Sequence, residues 1–213
     1  MPFEQLLVEG LAMGACYGLF GLAVVMIYKT SEVINFAAGE MAMFSTFIVF
    51  HMLTFYHWPF WAALLAAFIF AAVLGALVQY IFLRPAKNPT LLSLIVITLG
   101  VEMLLMGFAS WKWGAEQQEF SLPISYMVTY EPIKGFVISQ WAVAVFIIAA
   151  IIMAFLYTFF NKTNLGTAMR ATQQNKHAAK IMGINTDRVF AFSWGFSSVI
   201  GLVAAVLLTT KTI

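Results

Sequence analysis

The sequence predicts an all-α, polytopic integral membrane protein with about six transmembrane helices, and three observations carry that expectation. Hydrophobic residues fill 62% of the 213 positions and charged residues only 9%, with a mean hydropathy of +0.92; a soluble core of this size needs far less. Apolar runs longer than about 18 residues recur, each able to cross ~30 Å of hydrocarbon at about 1.5 Å per residue. Cations and aromatic rings cluster at the ends of those runs, where a bilayer places them.

The first span is expected over residues 5–28. Glu4 and Glu9 stand where a cleavable signal would carry basic residues, and the run is long enough to span, so this helix is expected to remain. Gly10, Gly14 and Gly18 recur every four residues on one helical face and allow another backbone to approach closely. Packing within the chain is the expectation for that stripe, ahead of a dimer contact. Cys16, alone in the sequence, lies inside the same span, so no intrachain disulfide can form.

The second span, 40–56, is preceded by the stretch "VINFAAGEMAMF" (33–44), in which Asn35, Gly39 and Glu40 interrupt an otherwise apolar run. Such groups are tolerated at a span only if they are buried in protein or face water. Two readings stay open. A broken helix start would leave free backbone amides beside a translocation path, or Asn35 simply caps a helix after a loop.

Spans three and four follow at 60–83 and 91–111. Glu102 sits in the middle of "LIVITLGVEMLLMG", where a charge costs at least ~2.5 kcal/mol. It is therefore expected to be neutral, paired or facing a wet cavity, as part of a path or gate or as a structural hydrogen bond. Span five is expected at 139–160 and span six at 188–209, which leaves both termini on one side.

Lys29, Arg84, Lys87, Lys162, Arg170, Lys176, Lys180 and Arg188 fall on one side of this topology, against Lys112, Lys134 and Lys211 on the other. Cationic loops resist translocation, so 161–187 is expected in the cytoplasm and both termini outside. Trp58, Trp61, Trp111, Trp113 and Trp141 fall at outer ends and Tyr28, Tyr80 and Tyr157 at inner ends, in the same registration.

Between spans five and six, "NKHAAKIMGIN" (175–185) reads as a short surface helix over 176–182, with Asn175 as N-cap and Gly183 just past its end. Lys176 and Lys180 share a face, which is favourable opposite an acidic partner. Ala178, Ala179 and Met182 add a small apolar patch, and Met adapts its shape to a partner. The segment is read as a docking surface; the alternative is that its cations only set topology and meet lipid headgroups.

Other classes are disfavoured by composition. The net charge of +2 is spread over separate loops without the basic, aromatic-interleaved stripe of a nucleic-acid binder. There is no G-x-x-x-x-G-K-[ST] phosphate loop, and no metal-ligand spacing links His51, His57 and His177. No catalytic residue, metal or bound cofactor is expected in this chain.

"VINFAAGEMAMF", "NPTLLSLIVITLG" (88–100) and "NLGTAMRATQQNKHAAKIMGINTDRVFAFSW" (164–194), with "GLAMGACYGLFGLAVVMIY" (10–28), together resemble the inner-membrane permease subunit of bacterial branched-chain amino acid ABC importers. The resemblance runs from about residue 5 to 210. It implies a single transmembrane permease domain over 1–213 that pairs with a second, similar permease, two cytoplasmic ATPases that hydrolyse ATP, and a periplasmic substrate-binding protein. Members usually continue for another two or three spans, so the chain is expected to lack the last helices of the family fold.

The resemblance also gives the 175–185 helix a role as the coupling helix that rests on the ATPase. Arg170, Asn175, Lys176, Ala179, Lys180 and Gly183 are assigned to that contact, and Asn35, Gly39, Glu40 and Glu102 to the translocation path. ATPase closure would push the helix, tilt spans five and six, and open a path between permease subunits. Two rivals from other classes remain: an ATP-independent carrier using Glu102 or Glu40 as coupling carboxylates, and a non-transporting membrane scaffold.

Overall fold

A computed structural model describes residues 3–86, 90–114, 116, 129–133 and 136–210. Lys87, Lys134 and Lys211, three of the cations used for orientation, lie outside the described residues. The chain runs α1 (Phe3–Ser31), α2 (Ala38–Thr54), α3 (Phe60–Val78), α4 (Leu91–Trp113), β1 (Thr129–Ile133), β2 (Phe136–Ser139), α5 (Gln140–Lys162), α6 (Asn164–Gln174), α7 (Lys176–Ile181) and α8 (Thr186–Thr209). A π-helical turn, Gln79–Leu83, extends α3.

Five of these helices are long and apolar enough to cross a membrane. The expected spans are met within a few residues at their ends, because a run of apolar side chains has little choice in hydrocarbon but to satisfy its backbone as a helix. At 17 residues α2 is shorter. The 32–37 segment before it is non-helical up to a final turn, buried at Val33, Asn35 and Ala37 and exposed at Glu32, Ile34 and Phe36, so protein covers one side of its irregular backbone.

The helix α8 is the hub. It packs against α1, α2 and α3, with Trp194, Leu202 and Ala204 wholly buried. By contrast α5 buries only Trp141, Ala142 and Val145 near its start, and α4 only Thr98, Val101 and Ala109. The remaining faces of α4 and α5 are apolar and outward, as suits lipid or another subunit.

Close approach of α3 to α8 is made possible by small residues. Ala63, Ala67, Ala71 and Gly75 recur every four residues and are all buried. A Cβ on Gly75 would collide with the Trp194 carbonyl oxygen and Ser198 Oγ, and one on Gly195 would come within 2.6 Å of the Ala72 carbonyl oxygen. The two backbones touch, which is what small residues permit in membranes.

The glycine stripe flagged in the sequence behaves differently. Gly10, Gly14 and Gly18 face outward, and a Cβ on any of them would meet nothing within 4 Å, so the expectation of packing within the chain is corrected. The buried face of α1 is instead Ala12, Cys16, Leu19 and Ala23; Ala12, Cys16 and Leu19 pack with Trp141 and Ala204. Every-fourth spacing states that close approach is allowed, while the neighbouring helices decide which face receives it.

Two further differences follow from long-range contacts. Trp141, expected at headgroup level, is wholly buried, and its Nε1–H donates to the Leu207 carbonyl at 2.8 Å, fixing α5 to the end of α8. Trp58, Trp61 and Trp111 are exposed as expected of an aromatic belt. Just before α5 an antiparallel hairpin pairs Thr129 with Ser139 and Tyr130 with Ile138, the only strand pairing among the described residues of an otherwise helical fold.

Candidate functional site

Two places depart from the pattern of plain apolar helices: the break between α1 and α2, and the elbow that joins α5 to α8.

At the break, Glu32 takes a left-handed conformation (φ 57°), and the N-cap of α2 is Ala37, which has no side chain able to cap. Asn35 therefore does not cap α2, which removes the loop-and-cap reading. Its Nδ2 points at Met41 Sδ at 3.5 Å, and its Oδ1 is buried without a hydrogen-bond partner. What supports the segment is Thr98 of α4, wholly buried. Thr98 Oγ1 accepts from the Phe36 amide at 3.4 Å and donates to the Ile95 carbonyl at 2.8 Å, with the Ile34 carbonyl at 3.3 Å. Sequence reading missed Thr98, although a hydroxyl inside "LIVITLG" was the available signal, since such groups bond across membrane helices.

Glu40 lies in the first turn of α2, and Glu102 stands one turn beyond Thr98 on α4. Helices α2 and α4 pack on each other here, with Met41 and Val101, the neighbours of these two carboxylates in sequence, in one buried cluster. Gly39 lies on the exposed surface, where a Cβ would meet nothing within 4 Å. So the structure brings Asn35, Glu40 and Glu102 to one corner, adds Thr98, and leaves Gly39 outside it. The cavity bounded by Asn35, Met41, Ser197 and Ser198 is about 10 Å³, room for about one water and far below an amino acid. Glu102→Gln is expected to leave membrane insertion and thermal stability within about 0.5 kcal/mol, because it keeps the shape and polarity of a half-buried side chain; a drop of many degrees in the melting midpoint would contradict this.

The elbow holds two helices where the sequence reading placed one. Thr163 Oγ1 accepts from the Gly166 amide at 3.0 Å and caps α6. A Cβ on Gly166 would come within 2.5 Å of the Phe159 carbonyl oxygen, so the turn from α5 into α6 needs glycine. Asn175 Oδ1 then accepts from the amides of His177 at 3.0 Å and Ala178 at 2.9 Å, the N-cap expected of it. Gly183 has φ +85°, and the Ile184 amide donates to the Ala179 carbonyl at 3.0 Å, a left-handed ending of the Schellman kind. Gly183→Ala is expected to cost about 1–2 kcal/mol locally, the penalty of a Cβ in that conformation. Hydrogen exchange of the α7 amides measures it, and unchanged protection would refute it.

On α7 the side chains sort differently from the sequence reading. Ala179 is buried and faces this chain, so it offers no outer surface. Lys176 Nζ lies over the Phe190 ring at 4.7 Å, tying α7 to α8. Lys176, His177, Ala178, Lys180, Ile181 and Met182 are all exposed, with Ile181 at 81% and Met182 at 82%. Arg170 is on α6, where its guanidinium donates to Asn161 Oδ1 at 3.4 Å and Thr167 Oγ1 at 3.5 Å. Arg84 Nε and Asp187 Oδ2, 3.4 Å apart, join the end of α3 to the start of α8.

Residues 6–213 match the family model described as the permease component of the branched-chain amino acid transport system. The chain belongs to this family. Relatives of this permease-family chain include the high-affinity branched-chain amino acid transport system permease protein BraD of Pseudomonas aeruginosa, 26% identical over 97% of this chain and 70% of the relative. LivH of Escherichia coli K12, with the same description, is 26% identical with the same coverage, and the probable LivH of Methanocaldococcus jannaschii is 27% identical over 96% of this chain and 66% of its own length. No solved structure matches the chain. The family-matched region takes in both the break and the elbow.

Proposed function

We propose that the chain is the membrane-spanning permease subunit of an ATP-driven importer that moves branched-chain amino acids or closely related small amino acids and amides across a bacterial inner membrane. It contributes no hydrolytic chemistry: ATP is bound and split by cytoplasmic partner subunits, and a periplasmic binding protein delivers substrate. The single observation that carries the reading is the outer face of α7. Two large apolar side chains, Ile181 and Met182, stand almost fully exposed beside Lys180 and His177 on a helix capped at both ends. Outward apolar faces on the long helices are explained by lipid. On a short, polar-flanked helix outside the spans they fit a protein partner.

Force applied at α7 has a short route to the core. Lys176 on Phe190 and the Asn185 cap, whose Oδ1 accepts from the Arg188 amide at 3.2 Å, join α7 to α8, and α8 packs on α1, α2 and α3. Displacement of α7 would therefore shift the hub of the bundle relative to the break beside α4. Lys180 and His177 are assigned to acidic groups on the ATPase, with Asn175 and Gly183 fixing the helix that presents them. A second permease subunit would complete the path, since the cavity at the break is too small for substrate, and the outward Gly10, Gly14 and Gly18 offer a surface for close approach.

The other reading, a carrier with Glu40 and Glu102 as coupling carboxylates, is not favoured by the family match. Uptake of labelled leucine into cells or vesicles separates the two. The importer requires ATP and the binding protein. Uptake that survives ATP depletion and collapses with the proton gradient would establish the carrier instead.

A further inference from the structure

Between the ends of α1, α5 and α6 runs an open groove of about 390 Å³ that the transport reading does not use. Its walls are apolar and include Leu22 and Val25 from α1 and Leu156 from α5. Two cations also line it, Lys29 in the last turn of α1 and Arg170 of α6. Tyr157 is exposed on the same lining.

Among the described residues neither cation is in an ion pair. The ion pair found among the described residues is Arg84–Asp187, and Arg170 is held by the neutral oxygens of Asn161 and Thr167. The guanidinium is thus oriented while its charge is left for something else. Depth identifies that partner. Leu22 precedes Lys29 by seven residues, about 10 Å along a helix, so the apolar wall lies in hydrocarbon while the cations sit at headgroup level. A soluble subunit resting on the membrane surface reaches the cations and not the wall. An acyl chain attached to a phosphate reaches both.

We propose that this groove binds one anionic glycerophospholipid, its phosphate between Lys29 and Arg170 and one acyl chain along Leu22, Val25 and Leu156, on the face that carries most of the chain's cations. The bound lipid covers the open side of the groove that α1, α5 and α6 line together. It requires only that the chain sits in a membrane, and so stands or falls apart from the nature of the transported substrate.

The complex, purified in detergent, is washed extensively and its retained phospholipids are quantified by mass spectrometry against added phosphatidylglycerol and phosphatidylethanolamine. Wild type is expected to keep phosphatidylglycerol in excess, and the Lys29→Gln, Arg170→Gln pair to retain about tenfold less or lower, since each cation attracts anionic headgroups separately. Lys180→Gln removes a cation outside the groove and is expected to retain lipid as wild type does. Should the paired variant fail to fold, Leu156→Trp fills the wall with both cations intact and is expected to lower retention as well. Equal retention in the groove variants, equal loss in Lys180→Gln, displacement by inorganic phosphate alone, or loss of an ATPase from Arg170→Gln with lipid unchanged would each overturn the assignment.

Discussion

Gly75→Leu is expected to destroy the fold, with a loss of about 3 kcal/mol or more and hence roughly a hundredfold shift in the folding equilibrium. A Cβ at this position already meets the Trp194 carbonyl oxygen and Ser198 Oγ, so the atoms in the way include backbone, which cannot rotate aside. The helix α3 would have to move off α8, and that movement would undo the burial of Ala63, Ala67 and Ala71 along the same stripe. Gly195→Leu should fail for the reciprocal reason, against the Ala72 carbonyl. Gly14→Leu is the comparison, because a Cβ there meets nothing; the isolated subunit should tolerate it. Monodisperse yield after extraction and the thermal midpoint provide the measurement. Wild-type yield and midpoint for Gly75→Leu would show that the α3–α8 crossing is not as close as described.

The paired change Ile181→Asp, Met182→Asp is expected to lower co-purification of the cytoplasmic ATPase at least tenfold while leaving membrane insertion unchanged. Both side chains are almost fully exposed, so the subunit itself loses little packing by their replacement. A partner that buries them would lose two apolar anchors and gain two carboxylates in a desolvated contact, and central apolar anchors are where interface energy concentrates. Lys180→Glu should act in the same direction with smaller effect, and Lys176→Glu should instead loosen α7 from Phe190. If the paired variant recovers the ATPase in full and supports normal uptake, the outer face of α7 is not the coupling surface.

Much of the fold was legible because the bilayer imposes simple rules. The run 91–111 could only be a helix once it was recognised as spanning, and α4 occupies Leu91–Trp113. The caps at Asn175 and Gly183 were legible for a local reason: an Asx side chain and a Cβ-free residue act on backbone within a few positions, and both act as read. The helix α6 was not, because "NLGTAMRATQQ" carries its start signal in Thr163, one residue earlier, at the end of an apolar span. The hairpin of β1 and β2 gave no readable alternation of its own.

At the candidate site the sequence located the unusual residues and misjudged their partners. Asn35 is buried at the break, yet it does not cap a helix, because α2 begins later and Thr98, far along the chain, supports the break. Ala179 and Lys176 are both expected at the docking contact; Ala179 is buried within this chain, while Lys176 is exposed with its ammonium over the Phe190 ring. Exposure of a short helix is set by what lies beneath it, and that is not written in its own eleven residues.

The sequence by itself determined the class, the placement of the apolar helices, the capped elbow and the family, because hydropathy and local backbone chemistry act over a few residues or one helix length. Only the tertiary structure decided that α8 is the hub, that Gly75 rather than Gly14 meets another backbone, that Glu40 and Glu102 share a corner, and that Lys29 and Arg170 face one groove. Each of those depends on which helix face meets which neighbour. Lipid and protein interiors are about equally apolar to a leucine, so hydropathy cannot tell a face that meets lipid from one that meets protein, and packing alone makes the choice.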